Sequence, residues 1–252
     1  MQIADGAQPE LWVCHLGVVP YGGAVGIQER LRERRQSGEL PDVLLLLEHP
    51  PTYTRGRRAG AGELPFPEAF YAAKGIEVRD TDRGGRVTYH APGQLVGYPI
   101  MAVADVIGHV RTMERAIVSA LSQVGLAARA RPEDGPDYTG VWVGERKIAS
   151  IGVHVARGVS THGFAVNVEN DLEPFTWVVA CGLPDVAMTS LRAESGGTCE
   201  SLHCFRSRMA YSFCQAHGRR QRLIAPARLG LDTTIASPIK TPSSPLVEPV
   251  PA

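Results

Sequence analysis

Residues 41–50 read PDVLLLLEHP, and Val43 to Leu47 form the longest uninterrupted aliphatic run in the chain. A proline stands at each end of this segment, and proline tends to end a strand because it has no backbone N–H to donate. A short, continuous apolar run bounded in this way is typical of a strand buried on both faces of a sheet. We therefore predict that this segment is a central strand.

Helix and strand patterns alternate on both sides of this strand. Leu11 to Leu16 is typical of a short strand, and Gly26 to Arg35 of a helix with a charged outer face. Residues 104–125 place apolar side chains at helical spacing and end at Gly125, where a left-handed C-terminal cap belongs. A last helix is expected from Glu200 to His217.

The remaining segments are rich in valine and isoleucine, which favour strands. They are IEVRDTDRGGRVTYHAPGQLVGYPI (76–100), TGVWVGERKIASIGVHV (139–155) and THGFAVNVEN (161–170). In the second segment a turn at Gly144 to Arg146 separates two alternating runs, so Trp142 and Lys147 should flank a hairpin. This order of elements predicts an α/β protein with a mixed sheet and flanking helices.

The composition predicts one globular domain with a tail. The chain has 252 residues, of which 44% are hydrophobic and 21% charged, as in ordinary globular proteins. We find no linker or repeat before residue 236, so residues 1–235 are predicted to form a single catalytic domain. Residues 236–252 are rich in proline, serine and threonine, a composition that buries too little apolar surface to become ordered.

Charge and hydropathy exclude some partners. The 26 basic and 26 acidic side chains cancel, so we expect neither bulk binding of nucleic acid nor attachment to an anionic membrane. No apolar run approaches the roughly 20 residues that cross a bilayer, and residues 1–10 lack the basic start and apolar stretch of a signal peptide. The expected location is the cytoplasm.

The cysteines are expected to be free thiols. There are five of them, an odd number, and nothing indicates export into an oxidising compartment. The spacing of the C-terminal cysteines and histidines, C-x4-C and C-x9-C-x2-H, matches no common zinc motif, so we expect no metal site.

The segment RGGRVTYHAPGQ, Arg83 to Gln94, combines three glycines with a threonine, a tyrosine and a histidine. Glycines let a backbone approach a ligand closely, so that its N–H groups can face a carbonyl or phosphate oxygen. A plain glycine-rich turn between two strands is the alternative. The segment is not a phosphate-binding Walker loop, because no GKS or GKT follows the glycines.

Two further residues are candidates for chemistry. Cys181 lies in VVACGLPDVAMTSL, beside Gly182, at the end of an element or in a loop, where a nucleophile would be accessible. Lys147 is one of only three lysines among 26 basic residues. A lysine in apolar surroundings can work as a base or activate a thiol, which arginine cannot do. The alternatives are an inert, buried cysteine and a lysine that protects a hairpin edge.

Five motifs occur together in the order and spacing of the octanoyltransferase family of lipoate synthesis. They are HPPTYTRGRR, RGGRVTYHAPGQLVGYPI, KIASIGVHV, THGFAVNV and CGLPDVAMTSL, and the match runs from about Leu11 to about Phe213. The chain resembles this family closely, with one departure, because the family usually has glycine where this chain has Ala91. The resemblance implies the catalytic fold shared by biotin and lipoate protein ligases.

The resemblance also implies an activity and a set of site residues. It implies transfer of an octanoyl group from octanoyl-acyl carrier protein to a lysine of lipoyl domains, in 2-oxoacid dehydrogenase E2 subunits and the glycine cleavage H protein. Cys181 would be the acyl-accepting nucleophile and Lys147 the group that favours its thiolate and moves protons. The implied walls of the acyl pocket are Arg83, Gly84, Gly85, Arg86, Val87, Thr88, Tyr89, His90, Ser150, Ile151, Gly152, Gly163, Phe164 and Ala165.

This chemistry needs no cofactor, because one thioester is exchanged for another and aminolysis to an amide is downhill. Three alternatives stay open: an ATP-dependent lipoate or biotin ligase, an amidotransferase with a different octanoyl donor, and a non-catalytic module that binds lipoylated proteins. Arg57 and Arg58 are further expected to steer acidic protein substrates into place.

Overall fold

The computed structural model describes residues 8–183, 186–197 and 201–231. The predicted tail at 236–252 and Cys199 lie outside the described residues, and the assignment of 1–235 to one domain stays a prediction. The strands are β1 (Glu10–Val18), β2 (Val43–Glu48), β3 (Thr52–Arg55), β4 (Glu77–Asp80), β5 (Val87–His90), β6 (Gln94–Ile100), β7 (Arg129–Ala130), β8 (Gly140–Val143), β9 (Arg146–Ala156), β10 (Val159–Asn167) and β11 (Arg220–Ile224). The helices are α1 (Tyr21–Gln36), α2 (Glu68–Ala73), α3 (Val106–Ser122), α4 (Leu191–Glu194) and α5 (Leu202–Ala216).

Eight strands form one mixed sheet in the order β11-β1-β2-β6-β10-β9-β8-β7. Strand β1 is parallel to both of its neighbours, and every other pair in this sheet is antiparallel. A second, small sheet has the order β4-β3-β5. The predicted mixed α/β fold is therefore confirmed.

The apolar run Val43 to Leu47 is an interior strand of the large sheet, between β1 and β6, as predicted. Leu44 and Leu46 pack into a core that also contains α3 and α5. Val43, Leu45 and Leu47 point to the opposite face and pack against α1. Because helices cover both faces of β2, its side chains from Val43 to Leu47 are all apolar and do not alternate.

The predicted helices are present with somewhat different ends. Helix α1 is longer than expected, from Tyr21 to Gln36, and α3 ends at Ser122, three residues before Gly125. Gly125 has the predicted left-handed conformation, with a φ of 80°. The apolar stripe expected on the last helix is buried. Its expected start at Glu200 lies outside the described residues, and none of the described helices is long and apolar enough to cross a membrane.

Candidate active site

A cavity of about 520 Å³ lies where β9, β10, the loop before β5 and the first turn of α3 meet. With the exception of Tyr89, the structure places every residue expected in the site around this one cavity. These residues come from segments that are far apart in the chain, since the predicted set runs from Arg83 to Cys181. Their arrangement is therefore a product of the fold, and their roles stay predictions.

Tyr89 was expected in the cavity wall and lies elsewhere. Alternate side chains of a strand point to opposite faces, so Thr88 and His90 face the cavity and Tyr89 faces away from it. The Tyr89 ring packs against Tyr53 and Phe175, with ring centroids 5.2 and 5.4 Å apart. Its place is the apolar core of the small sheet.

Cys181 stands at the cavity in a backbone conformation that is rare for its residue type. It lies in a single 3-10 turn, Ala180–Gly182, and has a φ of 58° and a ψ of 15°. Residues with a Cβ seldom adopt this left-handed backbone conformation. Those that do are concentrated at functional sites. The Sγ atom lies 3.8 Å from the Oγ of Ser150 on β9, so the turn presents the thiol to the strand that carries Lys147.

Gly182, the residue after Cys181, is needed in this turn for two reasons. Its φ is 70°, and a Cβ added to it would lie 2.2 Å from the Cδ of Arg86. The turn therefore packs directly on the Arg86 side chain, which is possible only without a side chain at residue 182. This contact joins the cysteine turn to the glycine-rich loop before β5.

Lys147 reaches the cavity because β9 contains a bulge. Trp142 pairs with Lys147 and Val141 with Ala149, so Ile148 is an extra residue in β9. A bulge shifts the alternation of a strand by one position, which aims side chains at sites near it. As a result, Lys147 and Ser150 both line the cavity although they are three positions apart.

The Lys147 side chain is 1% exposed and lies in mostly apolar surroundings. Its Nζ atom lies 5.2 Å from the centroid of the Trp142 ring, within the range of a cation–π interaction. Among the described carboxylates none forms a salt bridge with it. The backbone N–H of Lys147 donates a hydrogen bond to the Ala187 oxygen, and its backbone oxygen accepts one from Thr189. Both partners lie in the segment that follows Cys181. The lysine is thus fixed in place by its backbone while its amine stays unpaired with any described acid.

The loop Arg83–Arg86 is held closed by the guanidinium of its own first residue. Arg83 donates hydrogen bonds to the backbone oxygens of Gly84 (3.0 Å), Thr54 (2.8 Å) and Arg86 (2.7 Å), and also to the Thr54 hydroxyl. The loop packs tightly on β9, where a Cβ at Gly152 would lie 2.5 Å from the Gly84 oxygen. The repeated glycines of the motif therefore serve close packing around the cavity.

Buried histidines lie at the cavity wall and behind it, since His90 lines the cavity and the His49 ring packs edge-on against His90. His90 Nδ1 lies 2.8 Å from Gln94 Oε1, and the Gln94 amide nitrogen donates to Tyr89 and Asn167, so His90 Nδ1 is the donor. Burial holds the pKa of His90 well below its ordinary value. Burial likewise lowers the pKa of His49 to about 4. The His90 imidazole therefore presents no positive charge of its own to an acyl chain in the cavity.

The methyl group of Ala91 is accommodated. It is buried in the core of the small sheet, next to the Tyr89 ring. His90 keeps its hydrogen bond to Gln94, and the Ala91 carbonyl accepts one from the backbone of Gln94. The departure from the family pattern therefore leaves the loop geometry complete.

Several cavity residues carry no recognisable functional signal in the sequence. Tyr21, Tyr98 and His162 line its floor, and Val106, Ile107 and Val110 of α3 line its opening. Ile107 is 72% exposed, which is unusual for an isoleucine. The helical spacing of α3 indicated a buried stripe, but spacing alone does not distinguish a face that packs on a core from one that borders a cavity.

Charged residues form a connected network at the rim. The Glu63 carboxylate accepts hydrogen bonds from Arg86 Nη1 at 2.7 Å and from the backbone of Val87 at 3.1 Å. Arg86 also contacts Asp137, which in turn forms a 3.0 Å ion pair with Arg58. Arg58 is therefore engaged within the protein, while Arg57 beside it is exposed.

Comparison with known proteins shows the family of this chain. The lipoyl protein ligase A/B catalytic domain family matches residues 20–213. A protein of Rubrobacter xylanophilus named octanoyltransferase is 46% identical over 184 residues, which cover 71% of this chain and 81% of that protein. The chain belongs to the octanoyltransferase family. A second family member, from Mycobacterium ulcerans, is 46% identical over 198 residues, or 74% of this chain and 80% of its own.

Solved structures show how the octanoyltransferase fold relates to that of ligases. A bipartite lipoate protein ligase from Thermoplasma acidophilum superposes with a TM-score of 0.66 at 18% identity, over 87% of each chain. Lipoate-protein ligase A bound with ATP gives 0.66 at 19% identity, over 86% of this chain and 89% of its own. At such identities the likeness concerns the fold alone, which is the predicted ligase-like catalytic fold. The enzyme is an acyltransferase of the lipoyl(octanoyl) transferase type, as its octanoyltransferase relatives indicate.

Proposed function

We propose that this enzyme transfers an octanoyl group from octanoyl-acyl carrier protein to a specific lysine of a lipoyl domain, through a thioester on Cys181. The acceptors would be the E2 subunits of 2-oxoacid dehydrogenases and the H protein of glycine cleavage. The transfer would be the first step of endogenous protein lipoylation. It requires no cofactor, because the energy of the donor thioester is kept in the acyl-enzyme.

In the first step the Cys181 thiolate attacks the carbonyl carbon of the donor thioester. A new carbon–sulfur bond forms to Cys181, and the bond to the carrier's sulfur breaks. The carrier leaves as a thiolate, which takes a proton from the Lys147 ammonium. The shared cavity of Cys181 and Lys147 supports these roles, as does the absence of a described carboxylate that would hold the amine in a salt bridge.

In the second step the amine of the acceptor lysine attacks the acyl-enzyme. An amide bond forms, Cys181 leaves as its thiolate, and neutral Lys147 takes the surplus proton from the nitrogen. The ammonium is thereby regenerated for the next cycle. The acyl chain itself would be held by apolar side chains of the cavity such as Ile151, Phe164 and Val110.

The observation that carries the proposal is the meeting of an accessible, conformationally strained Cys181 and a buried Lys147 in one cavity. The test is the intact mass of the protein after incubation with octanoyl-acyl carrier protein in the absence of ATP. We expect an octanoyl adduct that is absent in Cys181→Ala and disappears when an apo lipoyl domain is added.

Each alternative has its own outcome in the same assay. Octanoylation that occurs only with free octanoate and ATP would assign the protein to the ligases. An adduct formed from an octanoylated lipoyl protein but not from the acyl carrier would indicate an amidotransferase. Binding of the lipoyl domain without any adduct or product would indicate a non-catalytic module.

A further inference from the structure

Arg83 is a buried positive charge at the active cavity. Its side chain is almost fully buried, and among the described residues no carboxylate forms a salt bridge with it. Its hydrogen bonds go to backbone oxygens and to the Thr54 hydroxyl, which are neutral acceptors. A guanidinium cannot lose its proton at any accessible pH, so the charge persists without a salt-bridge partner among the described residues.

The charged residues that line the cavity with Cys181 come from five segments. They are Lys147 on β9, Arg83 and Arg86 in the loop before β5, Asp137 in the turn Pro136–Tyr138, Arg58 after β3 and Arg111 on α3. Glu63 and Asp137 bind Arg86, Asp137 also binds Arg58, and Glu114 binds Arg111, so these charges largely neutralise one another. Two positive charges remain without a described acid partner, those of Lys147 and Arg83.

The position of Arg83 relative to Cys181 is fixed through Arg86. Arg83 Nη2 donates to the Arg86 backbone oxygen at 2.7 Å, and the Arg86 side chain packs directly on Gly182. Both Arg83 and Cys181 line the cavity. Burial lowers the pKa of Arg83, whereas the nearby Tyr21 and Cys181 side chains act in the opposite direction, because their anions would be attracted to the guanidinium.

We propose that Arg83 supplies the permanent positive charge that stabilises the Cys181 thiolate, which leaves Lys147 free to give up and regain its proton. This inference rests on the proposed role of Cys181. It assigns stabilisation of the thiolate to Arg83 and proton transfer to Lys147. Lys147 is neutral while the acyl-enzyme exists, so the positive charge already in place when the bond to the Cys181 sulfur begins to break is that of Arg83. Arg83 acts through Cys181 and is therefore a positioning residue.

The test is the rate at which iodoacetamide alkylates Cys181 as a function of pH, followed by peptide mass because Cys204 is also exposed. We expect Arg83→Met to move the midpoint of this profile upward by about one pH unit and to slow alkylation at neutral pH about tenfold. Arg83→Lys, which keeps a charge and loses the forked hydrogen bonds, should stay near the wild-type midpoint. Arg57→Met removes an exposed arginine beside the same loop and is the matched control, with no expected change.

Equal profiles for Arg83→Met and Arg83→Lys, or a profile of Arg83→Met equal to that of wild type, would overturn the proposal. Should Arg83→Met not fold, the alkylation profile of Lys147→Met decides the question, because Lys147 is the other positive charge without a described acid partner. If Arg83 stabilises the thiolate, the midpoint of Lys147→Met should lie within about 0.3 units of the wild-type midpoint. A rise of about a unit in Lys147→Met would assign the effect to Lys147 and overturn the proposal.

The two proposals can fail separately. If Cys181 forms no octanoyl adduct but alkylation behaves as expected, the proposed function fails and the role of Arg83 remains. If the adduct forms and alkylation is insensitive to Arg83, the division of roles fails and the transfer mechanism remains.

Discussion

At the scale of single residues, the site depends on two side chains in costly environments. Cys181 has a backbone conformation that costs a residue with a Cβ about 1–2 kcal/mol. Lys147 is buried, where an unpaired amine loses the hydration that it has in water. Such costs persist where the surrounding structure imposes them, and they are concentrated at functional sites.

The role of Lys147 is testable with a substitution that keeps its charge. In Lys147→Arg the guanidinium retains the positive charge but cannot release a proton, so we expect octanoyl transfer to fall at least about a hundredfold. The measurement is the rate of octanoylation of an apo lipoyl domain. Thermal unfolding of the variant serves as the control for folding, because arginine is larger than lysine at a buried position. Turnover close to the wild-type rate in a folded variant would rule out proton transfer by Lys147.

At the scale of elements, short and irregular segments determine the geometry of the cavity. The bulge at Ile148 aims Lys147, the 3-10 turn at 180–182 presents Cys181, and the loop Arg83–Arg86 packs against both. The long regular strands provide the frame on which these segments are mounted. A small change in one irregular segment should therefore affect activity more than stability.

Gly182→Ala tests this expectation. Alanine would be strained at a φ of 70° and would overlap Arg86, so we expect the cysteine turn to shift and octanoyl transfer to fall at least about tenfold. Gly196→Ala is the matched control, because Gly196 has a similar φ of 65° and no atom within 4 Å of an added Cβ. Both variants carry the same backbone strain, of about 1 kcal/mol, and only the first disturbs the site. Equal losses of activity in the two variants would show that the contact with Arg86 is unimportant.

At the scale of the whole molecule, buried histidines make stability depend on pH. Burial lowers the pKa of His15, His49 and His109 to about 4 each, from an ordinary value near 6.5. Between these two values the unfolded chain binds more protons than the folded one. The free energy of unfolding therefore decreases as the pH falls from about 6.5 toward 4. Above pH 6.5 the three histidines are neutral in both states and do not lower the stability.

The expected result is a free energy of unfolding at least about 2 kcal/mol lower at pH 5.0 than at pH 7.5. Urea unfolding at several pH values measures it. In His109→Gln the free energy of unfolding should change with pH less steeply than in wild type, by up to about 1.4 kcal/mol per pH unit. Octanoyl transfer should continue, because His109 lies outside the active cavity. The same slope in wild type and His109→Gln would contradict the burial of a neutral imidazole there.

The charge of the surface near the cavity is expected to affect encounter with protein substrates. Arg57 is exposed beside the cavity rim, whereas Arg58 is paired with Asp137. Arg57→Glu should therefore change the electrostatic potential at the rim and leave the ion pairs of Arg58 and Arg86 in place. We expect slower transfer at low salt, by several-fold, with the difference disappearing at high salt. Arg30→Glu on the exposed face of α1 makes the same change of charge away from the cavity. Equal rates for the two variants at low salt would remove Arg57 from docking.

The order of elements could be read from the sequence because its signals are local. A continuous apolar run between prolines predicts an interior strand such as β2, and apolar side chains at helical spacing predict α3 and α5. Glycine in RGG and CG likewise indicates a backbone that must approach something closely. These patterns depend only on a residue and its near neighbours in the chain, so they can be interpreted without knowledge of the rest of the fold.

The contacts between distant segments follow from the tertiary structure alone. Sequence patterns single out Cys181 and Lys147 as candidates for chemistry, yet 34 positions separate them, and no local pattern predicts the bulge that turns Lys147 into the cavity. Likewise, no pattern in the sequence distinguishes the environment of Arg83 from that of other arginines. Only the fold surrounds its guanidinium with neutral backbone acceptors. Tyr89 was misplaced for the same reason, because which face of β5 borders the cavity depends on the strands and helices that pack against it. Burial and unneutralised charge are properties of the packed molecule, and they arise only when distant segments displace water together.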